Sequence, residues 1–227
     1  ELEDEPEELA RAVTEAMATH ETSFFRDPAV FEYVRSRVLP SLMQARTARR
    51  RLRIWCAAAS TGQEAYSLAM LLDYAGLFES GWKVDLFASD FSRDAVVRIK
   101  EGGYSDYELA RGLPLSMRAR YCVASDSGRW HMVDGLRRRL RIHRFNLLDN
   151  FGWLGELDLI LCRNALLYFT PELRLETLAR MEGALVPDGW LVLGASEVPA
   201  DERFFVPVPG APRGVFSKNL ARIRRAV

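Results

Sequence analysis

Four groups of polar residues stand where short apolar runs end: Ser60, Thr61 and Gly62 after 52–59, Asp90 closing 84–90, Asn146 closing 140–146, and Arg163 with Asn164 closing 157–164. Each run reads as a strand, and in an open parallel sheet ligands bind beyond the carboxyl ends of the strands. At such an end Asp90 either accepts hydrogen bonds from both hydroxyls of a ribose or caps the helix that follows, and position alone leaves both open. Glu64 falls in the first turn of the next helix, where the dipole keeps a carboxylate anionic and able to pair with the ammonium of a bound amino acid. Helix capping is the commoner use of a carboxylate there.

The glycine content narrows the ligand. A dinucleotide site needs G-x-G-x-x-G so that backbone amides can approach a pyrophosphate, and this turn has only Gly62, which disfavours a dehydrogenase. S-adenosylmethionine carries no phosphate, so a sparser loop with side-chain contacts suffices for it. No G-x-S-x-G elbow occurs, and His20, His131 and His143 lack metal-ligand spacing, so neither a serine hydrolase nor a metal site is expected.

The elements that must position these groups alternate between strand and helix. Ala65, Leu68, Ala69 and Leu72 mark a helix after the first strand, and Ser92 is the expected cap of a helix carrying Val96, Val97 and Ile99. Thr170-Pro171 opens another, with Leu175, Leu178, Met181 and Leu185 on one face before Gly189, and 190–196 is the fifth strand. Such alternation predicts a doubly wound, mostly parallel Rossmann-like sheet, with 204–208 and 215–218 as antiparallel edge strands. Upstream, 1–19 reads as an amphipathic helix following an acidic start, and Pro28 begins a helix bearing Phe31, Val34, Val38 and Leu39. The stretch 103–139 is too long for a plain crossover, and its turn-rich centre predicts an inserted small antiparallel β-subdomain, bounded at about 104–145.

The chain has 227 residues, 48% of them hydrophobic, enough for one large core and one main domain. Lys plus Arg and Asp plus Glu both count 31, so no global field attracts nucleic acid. Cys56, Cys122 and Cys162 are odd in number and widely spaced, as in a reduced cytoplasmic protein. Neither a membrane-spanning run nor a secretory signal is read, and Glu1 in place of Met suggests a fragment or processed chain.

Five separated motifs occur in order: Thr22 with Phe24-Phe25-Arg26-Asp27; Ala57 to Glu64 with Tyr66-Ser67; Ala88-Ser89-Asp90; Asn146-Leu147-Leu148; and Cys162-Arg163-Asn164 with Tyr168-Phe169. Together, over roughly 7–219, they resemble the chemotaxis receptor glutamate methyltransferases. That resemblance implies a class I S-adenosylmethionine-dependent methyltransferase, whose product is S-adenosylhomocysteine and which needs no metal. It implies that Thr22 and Arg26 contact the cofactor, with Arg26 suited to its carboxylate, that Glu64 faces its ammonium and Asp90 its ribose. Asn146 and Leu147, then Cys162 and Arg163, would line the adenine and methionine portions, and Tyr168, acting with Arg26, would stand near the transferred methyl group.

The chain departs from the family pattern at His20, where asparagine is usual and no role is carried over, and at Gln63 and Ala65, which replace glutamate and proline. Residues 1–20 correspond to the last helix of the family's N-terminal helical domain, and 21–227 to the catalytic domain. The implied partner is the cytoplasmic helical region of methyl-accepting receptors. Arg46, Arg49, Arg50, Arg51 and Arg53, or else Arg137, Arg138, Arg139, Arg141 and Arg144, are candidate docking patches, although charge runs are usually solvated faces. The turn over 123–130 is shorter than in members that bind a C-terminal receptor pentapeptide, so no such tether binding is expected. The expected enzyme is a monomer without membrane insertion. Another protein acceptor, or a non-catalytic cofactor-sensing module, are the alternative readings.

Overall fold

The computed structural model describes residues 21–126, 128–197, 199 and 202–220. The helix expected over 1–19, with His20, lies outside them. Among the described residues the chain opens with α1 (Pro28–Tyr33), a π-helical turn (Val34–Val38) and α2 (Leu39–Ala45). Phe31, Val34, Val38 and Leu39 are buried on their common face. The widened turn precedes Pro40, which cannot donate to the helical ladder.

Seven strands then form one sheet in the order β6-β2-β1-β7-β8-β10-β9. β1 (Arg51–Ala57), β2 (Lys83–Asp90), β6 (Leu140–Arg144), β7 (Leu157–Cys162) and β8 (Leu185–Leu193) run parallel. β9 (Phe205–Pro207) and β10 (Val215–Lys218) are antiparallel at one edge, as the sequence predicts. The central parallel strands are mostly apolar because helices and loops cover both faces, and every residue of β7 is buried, Asp158 included. Strand order reverses between β1 and β7, where Ala57 pairs with Cys162, and this switch point is where such a sheet opens a crevice.

Helix α3 (Gln63–Tyr74) follows β1 and is buried from Gln63 through Leu72. Helix α4 (Arg93–Glu101) is capped by Ser92, whose hydroxyl accepts from the Ala95 amide. Three strands, β1, β6 and β7, each end two residues earlier than their apolar runs suggest. Ala58 and Ser60 after β1, and Asn164 after β7, adopt left-handed backbone that a strand cannot continue through. β8 instead begins early: Leu185 pairs with Leu157 and Trp190 with Leu159, so Val186 to Gly189 bulge out between them.

The insertion contains β3 (Gly103–Tyr104), α5 (Asp106–Ala110), α6 (Leu115–Tyr121), β4 (Cys122–Ala124) and β5 (Trp130–Met132), its strands forming a small antiparallel sheet in the order β3-β5-β4. This sheet stops at Met132, short of the bound expected at 145, because β6 pairs parallel with β2 in the large sheet. Helix α7 (Asp134–Arg137) links the two, and α8 (Pro171–Ala184), with Thr170 as its N-cap, precedes β8. No helix among the described residues is long and apolar enough to cross a membrane.

The two basic runs meet at the amino ends of the strands. Arg51 and Arg53 of β1 and Arg141 of β6 converge on Asp85, whose side chain is 0% exposed. Arg46 binds Asp158 and Asp188, and Arg50 donates to the Ser80 carbonyl. Part of the charge that the sequence displays as candidate docking surface is thus paired with carboxylates on the rim opposite the crevice, although Arg51 and Arg141 stay 41% and 54% exposed.

Candidate active site

The loop after β1 is held by β2. The Ser60 amide donates to one carboxylate oxygen of Asp90 at 2.8 Å, and the Ser92 amide to the other at 3.0 Å. Ser92 supplies the side-chain cap of α4, so Asp90 is not that cap. It is a buried carboxylate bridging the tips of two strands.

Across the switch point, the side chain of Arg163 is wholly buried. One of its terminal nitrogens donates to the Glu64 carboxylate and to the Arg26 carbonyl, at 2.9 Å to the latter, and the other donates to Asp27. Glu64 is buried in the first turn of α3. Burial pushes its carboxyl up to about 7, against the pull of Arg163 and Arg26, so the dipole-stabilised anion expected from sequence is opposed by desolvation. Asp27 precedes α1 in left-handed backbone and makes no capping bond there, because its carboxylate serves Arg163.

The segment carrying Thr22 and Arg26 is anchored from both sides. The Phe25 amide donates to Ser67 of α3 at 2.9 Å, and the Phe24 ring packs edge-on against Tyr104 of the insertion at 5.0 Å. Tyr104 donates in turn to the Thr61 carbonyl. Arg26 donates to the Glu21 carbonyl, and Thr22 is half-buried at the start of the segment. Gly112, at φ +100°, packs directly under Phe24, where an added Cβ would collide with the Phe24 carbonyl oxygen.

Residue Glu197, which sequence reasoning passed over, ties two more tips together. Its carboxylate accepts from the amides of Asn164 (2.6 Å), Gly194 (2.7 Å) and Leu167 (3.2 Å), and it is 1% exposed. An acidic residue just beyond an apolar run was the available sign, but acceptors of distant amides have no local pattern.

The remaining expected residues sit farther out. Asn146 is exposed, and its side chain accepts from the Leu148 amide while Leu147 is buried. Cys162 is fully buried, and burial pushes its thiol well above the usual range. Tyr168, in a 3-10 turn after β7, is 71% exposed. Glu64, Arg163, Asp27 and the Arg26 backbone are therefore directly joined, and Asp90 reaches the loop leading to Glu64 through Ser60. Asn146, Leu147 and Tyr168 share no hydrogen bond with that group among the described residues.

A cavity of about 520 Å³ opens at this rim, lined by Arg26, Asp27, Asn164, Ala195, Ser196 and Arg213. Ser60 Oγ, Arg163 Nε and Asn164 Oδ1 are buried beside the tips of β1 and β7 without a hydrogen-bond partner among the described residues. Donors, acceptors, two carboxylates and a guanidinium without a glycine-rich phosphate cradle fit a ligand made of an adenosine and an amino acid, and not a pyrophosphate.

Residues 20–209 match the family model described as CheR methyltransferase, SAM binding domain. The chain belongs to the CheR methyltransferase family. This CheR-family chain is 41% identical over 194 residues to Chemotaxis protein methyltransferase 1 of Pseudomonas aeruginosa, covering 83% of itself and 70% of that protein. To Chemotaxis protein methyltransferase Cher2 of Pseudomonas putida it is 37% identical over 192 residues, covering 83% and 70%. To a Chemotaxis protein methyltransferase of Vibrio parahaemolyticus it is 36% identical over 195 residues, covering 84% and 69%. The CheR-family chain is accordingly an S-adenosylmethionine-dependent methyltransferase, built on the mostly parallel sheet expected of that class.

Proposed function

We propose that this enzyme methylates glutamate side-chain carboxylates in the cytoplasmic helical region of chemotaxis-type receptors, giving glutamyl methyl esters. The observation that carries the reading is the buried Glu64–Arg163 pair at the strand switch point, within a chain whose relatives are chemotaxis methyltransferases. S-adenosylmethionine supplies the methyl group on a sulfonium, a leaving group that departs as a neutral thioether.

Glu64, oriented by Arg163, takes the amino-acid ammonium, and Arg26 takes the carboxylate in a bidentate grip. Asp90 binds the ribose hydroxyls, with Thr22 beside the same ligand. Asn146 and Leu147 flank the adenine, and Cys162 and Arg163 bound the methionine portion. Tyr168 sits where the acceptor arrives and acts geometrically. A glutamate with a pKa of about 4.3 is ionised near neutrality, so its oxygen attacks without a general base. Rate then comes from alignment and exclusion of water, which together can contribute on the order of 7 to 11 kcal/mol. The enzyme works as a cytoplasmic monomer. The enzyme acts without a pentapeptide tether, a reading that rests on the short turn over 123–130.

The test is methyl transfer to purified receptor cytoplasmic fragments, read as base-labile methyl groups that release methanol, together with calorimetry of S-adenosylhomocysteine. Asp90→Ala should weaken that binding at least about tenfold, since a carboxylate bond to a ligand is worth roughly 1.5–3 kcal/mol. Absence of base-labile label on receptor fragments, or unchanged affinity in Asp90→Ala, would refute the reading.

A further inference from the structure

Two arginines reach the cavity at the strand tips from different elements, and they are in different situations. Arg26 belongs to the segment locked onto Arg163 and α3, and its guanidinium already donates to the Glu21 carbonyl. Arg213 comes from the connection between β9 and β10, is exposed, and makes no hydrogen bond or ion pair with any described residue. The one acidic side chain lining the cavity among the described residues, Asp27, is engaged by Arg163.

Arg213 is nevertheless not on a loose loop. Pro212 precedes it, and the Val215 amide closes a turn onto the Pro212 carbonyl. Gly214 follows at φ +95° and lies so close to the end of β8 that an added Cβ would stand 2.5 Å from the Leu193 carbonyl oxygen. The Leu193 amide donates to the Gly214 carbonyl at 2.8 Å. The backbone under Arg213 is thereby fastened to the strand whose continuation, Ala195 and Ser196, forms the same cavity wall. Glu197 ties that continuation to Asn164.

We infer that Arg213 is the specificity-determining cation that recognises the acceptor carboxylate, while Arg26 on the other wall serves the amino-acid end of the cofactor. The inference rests on the proposed function and deepens it. A guanidinium can hold one oxygen of a glutamate carboxylate and leave the other free to attack. In the transfer, that second oxygen forms the bond to the methyl carbon as the carbon–sulfur bond breaks, its electron pair staying on sulfur. A carboxylate and a sulfonium become a neutral ester and a neutral thioether, and no proton moves. Esterification removes the charge Arg213 was holding, so the same residue favours substrate over product. It also discriminates glutamate from glutamine at the acceptor position, because the amide lacks the charge of a strong partner.

The experiment measures steady-state methylation of a purified receptor cytoplasmic fragment by the full chain, wild type, Arg213→Ala and Arg213→Lys. S-adenosylhomocysteine affinity is measured by calorimetry, and a fragment with glutamine at the acceptor position serves as competitor. Arg213→Ala should raise the KM for the fragment roughly tenfold or more, with kcat and S-adenosylhomocysteine affinity nearly unchanged. Its preference for glutamate-bearing over glutamine-bearing fragment should collapse, and Arg213→Lys should restore part of both. An unchanged KM, or a KM rise accompanied by an equal loss of S-adenosylhomocysteine affinity, overturns the inference while leaving the proposed reaction standing. A wild-type enzyme inert towards every glutamate-bearing fragment would overturn the reaction, and this inference with it.

Discussion

Glu64 and Arg163, separated by 99 positions, are hydrogen bonded to each other in the interior, one following β1 and the other following β7. The bond spans the point where strand order reverses, so the two halves of the sheet meet in one ion pair. Both partners are nearly withdrawn from water, which makes the pair sensitive to the loss of either member and to protonation.

The first expectation concerns pH. Burial raises the folded-state pKa of Glu64 from 4.5 to about 7. A raised folded value means that the unfolded chain ionises first, so the stability this group contributes is fully present below about 4.5 and is lost as pH climbs through about 7. The loss attributable to Glu64 is of order 3 kcal/mol. Urea titrations across this range should show it, and Glu64→Gln should remove it. Binding of S-adenosylhomocysteine, whose ammonium favours the ionised carboxylate, should strengthen over the same interval.

Arg163→Met should cost about 3–5 kcal/mol, because it leaves Glu64 buried without its cation and releases Asp27 and the Arg26 carbonyl. Adding Glu64→Gln should recover part of that loss. Chemical denaturation of the two single variants and the double variant measures the coupling, and strict additivity would contradict the pairing.

Gly112→Ala should destabilise the protein by more than about 1 kcal/mol and weaken S-adenosylhomocysteine binding together. The new Cβ is strained at φ +100° and strikes the carbonyl oxygen of Phe24, in the segment that carries Arg26. Gly135→Ala is the control: it lies in α7 with nothing within 4 Å of an added Cβ, and should be neutral or stabilising. Thermal melts and calorimetry on both variants decide it.

The strands were legible because a parallel sheet covered on both faces needs mostly apolar runs, and β7 is apolar but for Asp158 and buried throughout. Glu64, Asp90 and Arg163 were legible as candidates because they stand at strand ends or just beyond, whereas position left Glu64 and Asp90 open between ligand binding and capping, and the resemblance favoured ligand binding. The start of β8 was hidden because Pro187, Asp188 and Gly189 look like a turn, and in three dimensions they are a bulge between two pairings with β7. Glu197 was hidden because its amide donors lie up to 33 positions away. Arg46, Arg51 and Arg53 looked like free surface charge because Asp85 and Asp158, which absorb them, occur singly inside apolar strands.

That last arrangement makes one small residue the regulator of a large field. Asp85 balances three guanidiniums drawn from two strands, so exchanging it for asparagine would uncover a cluster of cations on the face turned away from the cleft. A protein of zero formal charge would then carry one excess positive charge, concentrated at that rim.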